Sequence, residues 1–182
     1  MADQAIRKSP LAGRHAGAAT VRLTPAAPAS RVALRAPTGS LAALSKALGL
    51  TIPPKSKMSA SAGNRSALWL GPDEWLVIDE SGADLIAVLG SASALHSATD
   101  VSHRNTAIIV SGPGAEATLS AGCPQDLSLE IFPVGACSRT LFGKVEVVLL
   151  RVEEDTFRVE VWRSFSDYAF GLLAEAASDT AF

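Results

Sequence analysis

Asp100, Ser102 and His103 fall within the run DVSHR, and together they are the three residue types of a nucleophilic hydrolase. That chemistry needs the hydroxyl bonded to the imidazole and the imidazole bonded to the carboxylate. On a strand, alternate residues face opposite sides, so Asp100 and Ser102 share one face and His103 takes the other. The three do not converge without a sharp turn. The run is therefore read as a strand end at which Asp100 and Ser102 bond backbone groups.

The remaining reactive groups are no more promising. SGPGAEA, residues 111–117, has two glycines before a helix. A phosphate-binding turn wants a longer glycine pattern after a strand, so these glycines read as punctuation at a helix start. His15 and His96 are isolated, and no metal-ligand spacing links the three histidines. Cys123 and Cys137 are fourteen residues apart with no Cys-x-x-Cys partner. They make neither a disulfide framework nor a zinc site, and are expected as buried thiols in a reducing cytosol. Asp73, Glu74, Glu153, Glu154 and Asp155 lie in predicted turns, whereas acid–base work needs a carboxylate in a partly buried cleft. The strand KVEVVLLRV offers only Glu146. No catalytic, cofactor-binding or metal residue is assigned.

A different feature concerns partners. In LWLGPDEWLVI, residues 68–78, Trp69 and Trp75 flank a Gly-Pro-Asp-Glu turn. Pro72 cannot adopt the positive φ of a two-residue type I′ loop. A four-residue loop from Gly71 to Glu74 is expected, pairing Leu70 with Trp75 and Trp69 with Leu76. The two rings would then project from opposite faces. One would be covered by the chain's own helices, the other by a second helix layer or another subunit. Trp69 and Trp75 are thus the candidate subunit interface.

The elements that must position these residues follow from composition and periodicity. The chain has 182 residues, 48% of them hydrophobic, enough for one domain or for two small repeated units sharing a sheet. The net charge of −2 comes from interspersed acids and bases, with no basic stripe suited to nucleic acid. No stretch approaches the roughly 20 apolar residues of a membrane helix, and MADQAIRKSPLAGRH lacks a signal-peptide core. The expectation is a soluble, cytoplasmic protein.

Residues 1–30 are rich in alanine and proline with few large apolar groups, and are expected to be a flexible N-terminal arm, disordered or ordered on a partner. Structure begins at Arg31. RVALRA reads as a strand; Leu41, Leu44 and Leu48 form a helical stripe capped by Gly49. Residues 51–63 read as a polar loop. SALWL and EWLVI form a hairpin, and Leu85, Ile86 and Leu89 a short helix. HSATDVS and TAIIVS read as two further strands, close enough to pair, the latter covered on both faces. AEATLSAG reads as a helix. CSRTLFG, KVEVVLLRV and TFRVEVWRS are three strands, the last with Phe157, Val159 and Val161 on one face and Arg158, Glu160 and Trp162 on the other. A final helix starts at Ser164, with an apolar stripe of Phe165, Tyr168, Ala169, Leu172 and Ala176. Short helices alternating twice with groups of strands predict an α+β fold of two similar halves, helices packed on antiparallel sheets.

TDVSHRNTAIIVSGPGAEATLSAGCPQDL, residues 99–127, resembles the folate-binding domain of the glycine-cleavage aminomethyltransferase. With LWLGPDEWLVI, RTLFGKVEVVLLR and FRVEVWRSFSDYAFGLL added, the ordered blocks from about Asn64 to Leu173 resemble the gamma subunits of heterotetrameric sarcosine oxidase. The resemblance implies a single aminomethyltransferase-like domain over residues 31–182. It also implies a holoenzyme of alpha, beta, gamma and delta subunits. That enzyme, an oxidoreductase acting on CH–NH donors with oxygen as acceptor, demethylates sarcosine to glycine. Its other products are hydrogen peroxide and 5,10-methylenetetrahydrofolate. FAD, FMN and NAD are implied on the alpha and beta subunits, tetrahydrofolate on alpha and zinc on delta, with no cofactor on a gamma chain. Aminomethyltransferases carry an Asp-Asp pair leading their central strand, and GKVEVVLLR has only Lys144 and Glu146 there, so no folate residue is carried over. The expectation is a non-catalytic subunit docked on alpha. The alternative is a free-standing folate-binding protein or one-carbon transferase of the same fold.

Overall fold

The computed structural model describes residues 9–179. Its framework is set by two valine-rich strands, β10 (Val145–Glu153) and β11 (Thr156–Trp162), joined through the Glu154-Asp155 turn. Val145, Val147 and Leu149 of β10 face one apolar cluster, and Val148 and Leu150 face another. A strand with both faces buried must sit between layers. β-branched side chains fit that pleated position.

The layers are two antiparallel sheets back to back, each with helices outside. The first sheet runs β1 (Ala16–Ala18), β2 (Val21–Pro25), β8 (Asn105–Ser111), β11, β10, β9 (Cys137–Phe142). Its outer face packs on α3 (Ala115–Ser120) and α4 (Ser166–Asp179) through Leu119, Phe142, Phe157, Phe170 and Leu173. The second sheet runs β4 (Ser59–Ala62), β5 (Arg65–Gly71), β6 (Glu74–Asp79), β3 (Ser30–Arg35), β7 (Ser97–Asp100). Its outer face packs on α1 (Leu41–Leu48) and α2 (Leu85–Gly90) through Leu44, Leu48, Trp75, Leu85 and Leu89. Between the sheets lie Leu68, Leu76, Ile78, Val101, Cys137, Val148 and Leu150. α1 ends on Gly49 in the left-handed region, as its position after the leucine stripe predicts. α2 starts on Asp84, whose carboxylate accepts the Ala87 N–H at 3.0 Å.

The two halves correspond. β3-α1-β4-β5-β6-α2-β7 has the strand order β4-β5-β6-β3-β7, and β8-α3-β9-β10-β11-α4 has the order β9-β10-β11-β8. The place that β7 takes beside β3 is taken beside β8 by β2. The N-terminal segment therefore supplies the second half with its last strand. This corrects the expectation of a separate arm over residues 1–30. Leu11 and Leu23 are fully buried and Val21 nearly so, and β2 pairs with β8 from Arg22↔Ser111 to Pro25↔Ile108. Three large apolar residues suffice because the sheet supplies the rest: an open edge on β8 that needs backbone partners. Residues 1–8 lie outside the described residues.

Three other elements differ from expectation for similar reasons. Within residues 51–63, SASA forms β4 by backbone pairing with β5, although small residues carry no strand signal. β7 and β8 do not form a hairpin; they belong to different sheets, and the turn between them carries the chain from one sheet to the other. The stripe of α4 is rotated: Ala169, Phe170, Leu173, Ala176 and Ala177 are buried, while Phe165 and Tyr168 are exposed. A 3-10 turn over Arg163–Phe165 precedes the helix and shifts its phase.

Candidate functional site

The tryptophan hairpin is resolved by a bulge. β5 ends at Gly71 and β6 starts at Glu74, leaving the two-residue turn Pro72-Asp73. Gly71 pairs with Glu74 and Trp69 pairs directly with Trp75, so Leu70 is the extra residue of a β-bulge. The expected pairing of Leu70 with Trp75 is therefore wrong, and both rings lie on one face. Both join the cluster beneath α1 and α2. Trp75 is 1% exposed and donates its indole N–H to the Pro53 carbonyl at 2.8 Å. The hairpin thus covers the chain's own helices, and Trp75 is closed to any partner.

DVSHR is a strand end followed by a turn: β7 stops at Asp100 and residues 102–104 turn, so the expected strand alternation of Ser102 and His103 does not apply. The Asp100 carboxylate accepts from the Ser102 hydroxyl at 2.5 Å and from the Ser102 N–H at 2.8 Å. The Ser102 oxygen accepts the Arg31 N–H at 2.8 Å. The two bonds from Ser102, its hydroxyl foremost, hold the Asp100 carboxyl below its ordinary range. The serine is thereby tied to the β3 backbone, not presented to a base. The glycines of SGPG have a packing role. A Cβ on Gly112 would stand 2.5 Å from the Thr20 carbonyl oxygen, and one on Gly114 2.7 Å from the Thr20 hydroxyl. They let the β1–β2 turn approach the start of α3. Cys123 and Cys137 are buried free thiols. Cys137 donates to the Met58 carbonyl at 3.1 Å, and burial pushes its pKa up to about 12, so it stays a thiol. Among the described residues no cluster of His, Cys, Asp and Glu could hold a metal ion.

Sequence reasoning missed the charges between the sheets. Arg158 and Glu160 do take the face opposite Phe157 and Val159, but that face is the sheet–sheet interface. Glu160 bridges two arginines there. One oxygen accepts from Arg31 Nε of β3 at 2.7 Å and the other from Arg158 Nε at 2.8 Å. The three side chains are 1–6% exposed. Arg31 also donates to the Ala29 carbonyl at 3.0 Å, and Arg158 reaches the half-exposed Glu80 at 2.5 Å. The available signal was the polar pair Arg158/Glu160 set in a strand whose neighbours are all apolar.

A second buried carboxylate, Asp79, meets Arg65 at 2.8 Å and the Ser81 N–H at 2.9 Å. Burial opposes its ionisation, but the bonds from Ser81 and Arg65 outweigh burial and lower its pKa. A carboxyl depressed in the folded state adds stability above its unfolded pKa, and that stability is lost as pH falls through the folded value. Asp79→Asn is therefore expected to cost about 2–3 kcal/mol at pH 7, as for lost charge-assisted hydrogen bonds. The deficit should shrink below about pH 4, the ordinary aspartate pKa. Urea melts at both pH values measure this; a deficit independent of pH contradicts it.

Beside Glu160, a cavity of about 40 Å³ opens between the sheets, lined by Glu74, Arg104, Arg139, Glu146 and Trp162 among others. The Arg139 guanidinium beside Glu74 holds that carboxyl below its ordinary range, and Glu146 lies 3.8 Å from Arg139 and is half exposed. The acids here are thus engaged with arginine. The space suits one or two waters, against the roughly 300 Å³ or more of a cofactor pocket.

Two helix-backed antiparallel sheets of matching strand order, with the chain crossing between them at DVSHR, define an aminomethyltransferase-like α+β protein. The structure superposes on glycine cleavage system aminomethyltransferase T from Bartonella henselae with a TM-score of 0.64, over 90% of this chain and 50% of that one. At 17% identity this likeness shows the fold alone. The model of the sarcosine oxidase, gamma subunit family matches residues 34–179, and the chain belongs to that family. It is 34% identical to sarcosine oxidase subunit gamma of Corynebacterium sp. (strain P-1) over 169 residues, covering 90% of this chain and 83% of that protein. It is 32% identical to sarcosine oxidase subunit gamma of an Arthrobacter species, covering 93% and 85%. The heterotetrameric sarcosine oxidase from Corynebacterium sp. U-96 in complex with pyrrole 2-carboxylate contains a chain that matches with a TM-score of 0.87. That chain is 30% identical, with 97% of each chain covered.

Proposed function

We propose that this chain is the gamma subunit of a heterotetrameric sarcosine oxidase, an oxidoreductase complex whose chemistry is carried by other subunits. The observation that carries this reading is the match over 97% of both chains to a chain of such a heterotetramer. The local chemistry supports it. Glu160 and Asp79 are committed to buried ion pairs. The cavity between the sheets, at about 40 Å³, does not fit a flavin, a dinucleotide or a folate. In this reading, which follows the family resemblance, FAD, FMN, NAD, tetrahydrofolate and zinc belong to the alpha, beta and delta subunits, with alpha the direct neighbour of this chain. The assembly acts in the cytoplasm; among the described residues no helix is long and apolar enough to cross a membrane.

The test is co-expression with the alpha, beta and delta chains of the same oxidase. The chain is expected to co-purify in a yellow, sarcosine-oxidising complex. Alone it should be colourless and release no peroxide from sarcosine. Peroxide formation or tight flavin on the isolated chain, or failure to join the complex, overturns the reading.

A further inference from the structure

Among the described residues the aromatic rings lie inside, with one group of exceptions. Trp75, Phe132, Phe142, Phe157 and Phe170 are buried and Trp69 is half-buried. Trp162, Phe165 and Tyr168 are 39%, 43% and 43% exposed, and all three fall where β11 passes into α4. They form one surface. The rings of Trp162 and Phe165 stack with centroids 6.1 Å apart, and the Arg104 guanidinium lies 4.9 Å from the Trp162 ring centroid. Trp162 lies one step beyond the Val147↔Val161 pair, beside Glu146, and Glu146 pairs with Leu141, which is 49% exposed. On the helix side, Tyr168 and Leu172 close over Gly143, where a Cβ would stand 2.7 and 2.6 Å from them. Leu141, Trp162, Phe165 and Tyr168 thus line one end of the six-stranded sheet.

The charges around this surface are lopsided. Its acids are held within the chain: Glu74 and Glu146 by Arg139, Asp167 by Arg14. Arg104 and Lys144 have no carboxylate within ion-pair distance among the described residues. The surface is therefore an apolar aromatic centre with a basic rim. Stacked aromatics with a flanking arginine are the composition of an interface centre, and a contiguous exposed apolar patch marks an interaction site. A second copy of this chain is a poor occupant, because a two-fold contact would set Arg104 and Lys144 against their own counterparts.

We infer that the Trp162–Phe165–Tyr168 surface is where this chain docks on another subunit of the oxidase, whose facing patch is apolar and rimmed by carboxylates. The inference rests on the subunit reading above. Its test uses the co-expressed complex with two variants, Trp162→Ala/Phe165→Ala and Arg104→Glu. The double variant is expected to melt within a few degrees of the parent when free, yet to associate roughly thirty-fold more weakly or worse. Arg104→Glu, at an exposed position, should also weaken assembly, and added salt should slow association of the parent. Parent-like assembly of either variant overturns the inference while leaving the subunit reading standing. So does a parent chain that self-associates through this surface alone. If the parent joins no complex, the subunit reading fails first and this inference with it.

Discussion

Glu160→Gln should cost the free chain about 3–5 kcal/mol, because it leaves two arginines buried between the sheets without their shared carboxylate. The substitution keeps the size and shape of the side chain, so packing is spared and the loss reports charge. Arg31 and Arg158 are only 3% and 6% exposed, so little of either guanidinium is left to water. Glu80, 58% exposed at the end of the same network, is the internal comparison: Glu80→Gln should cost under about 1 kcal/mol, as surface pairs do. Replacing Arg31, Glu160 and Arg158 together by methionine, leucine and methionine should recover most of the loss, since an apolar substitute removes all three desolvation costs at once. Urea unfolding of the four proteins decides it. A Glu160→Gln chain within 1 kcal/mol of the parent shows that water, not the carboxylate, neutralises those arginines.

Removing residues 1–27 should abolish folding of the free chain. The deletion takes Leu11, Val21 and Leu23 out of the core and strips β8 of its partner on one side. Each buried Leu or Val is worth about 1.5–3 kcal/mol, and the exposed edge of a buried strand adds unpaired N–H and C=O groups. Together these approach the 5–15 kcal/mol that holds a typical domain. The milder variant Leu23→Ala should lose about 2–5 kcal/mol, which keeps the claim measurable if the truncated chain is insoluble. Far-UV circular dichroism and melting of both are the readout. A truncated chain that melts like the parent restores the separate arm that the composition of residues 1–30 suggests.

These two results mark where local and global information part. Periodicity determined the strands β5, β6, β10 and β11 and the leucine face of α1, because alternation and a leucine stripe are written residue by residue. It placed a strand end at Asp100, but the turn over residues 102–104, not strand alternation, sets where Ser102 and His103 go. The ordered blocks around DVSHR and GKVEVVLLR carried the family. Pairing across long separations was not legible. β2 is a strand because β8, eighty-odd residues on, needs a partner, and β4 is one because β5 does. The bulge at Leu70 turned both tryptophans to one face, since a proline turn and a direct Trp69–Trp75 pair require one residue to drop out of register. The alternation in β11 correctly put Arg158 and Glu160 opposite Phe157. Only the second sheet decided that this opposite face is buried, because burial belongs to whatever packs on a strand and not to the strand itself.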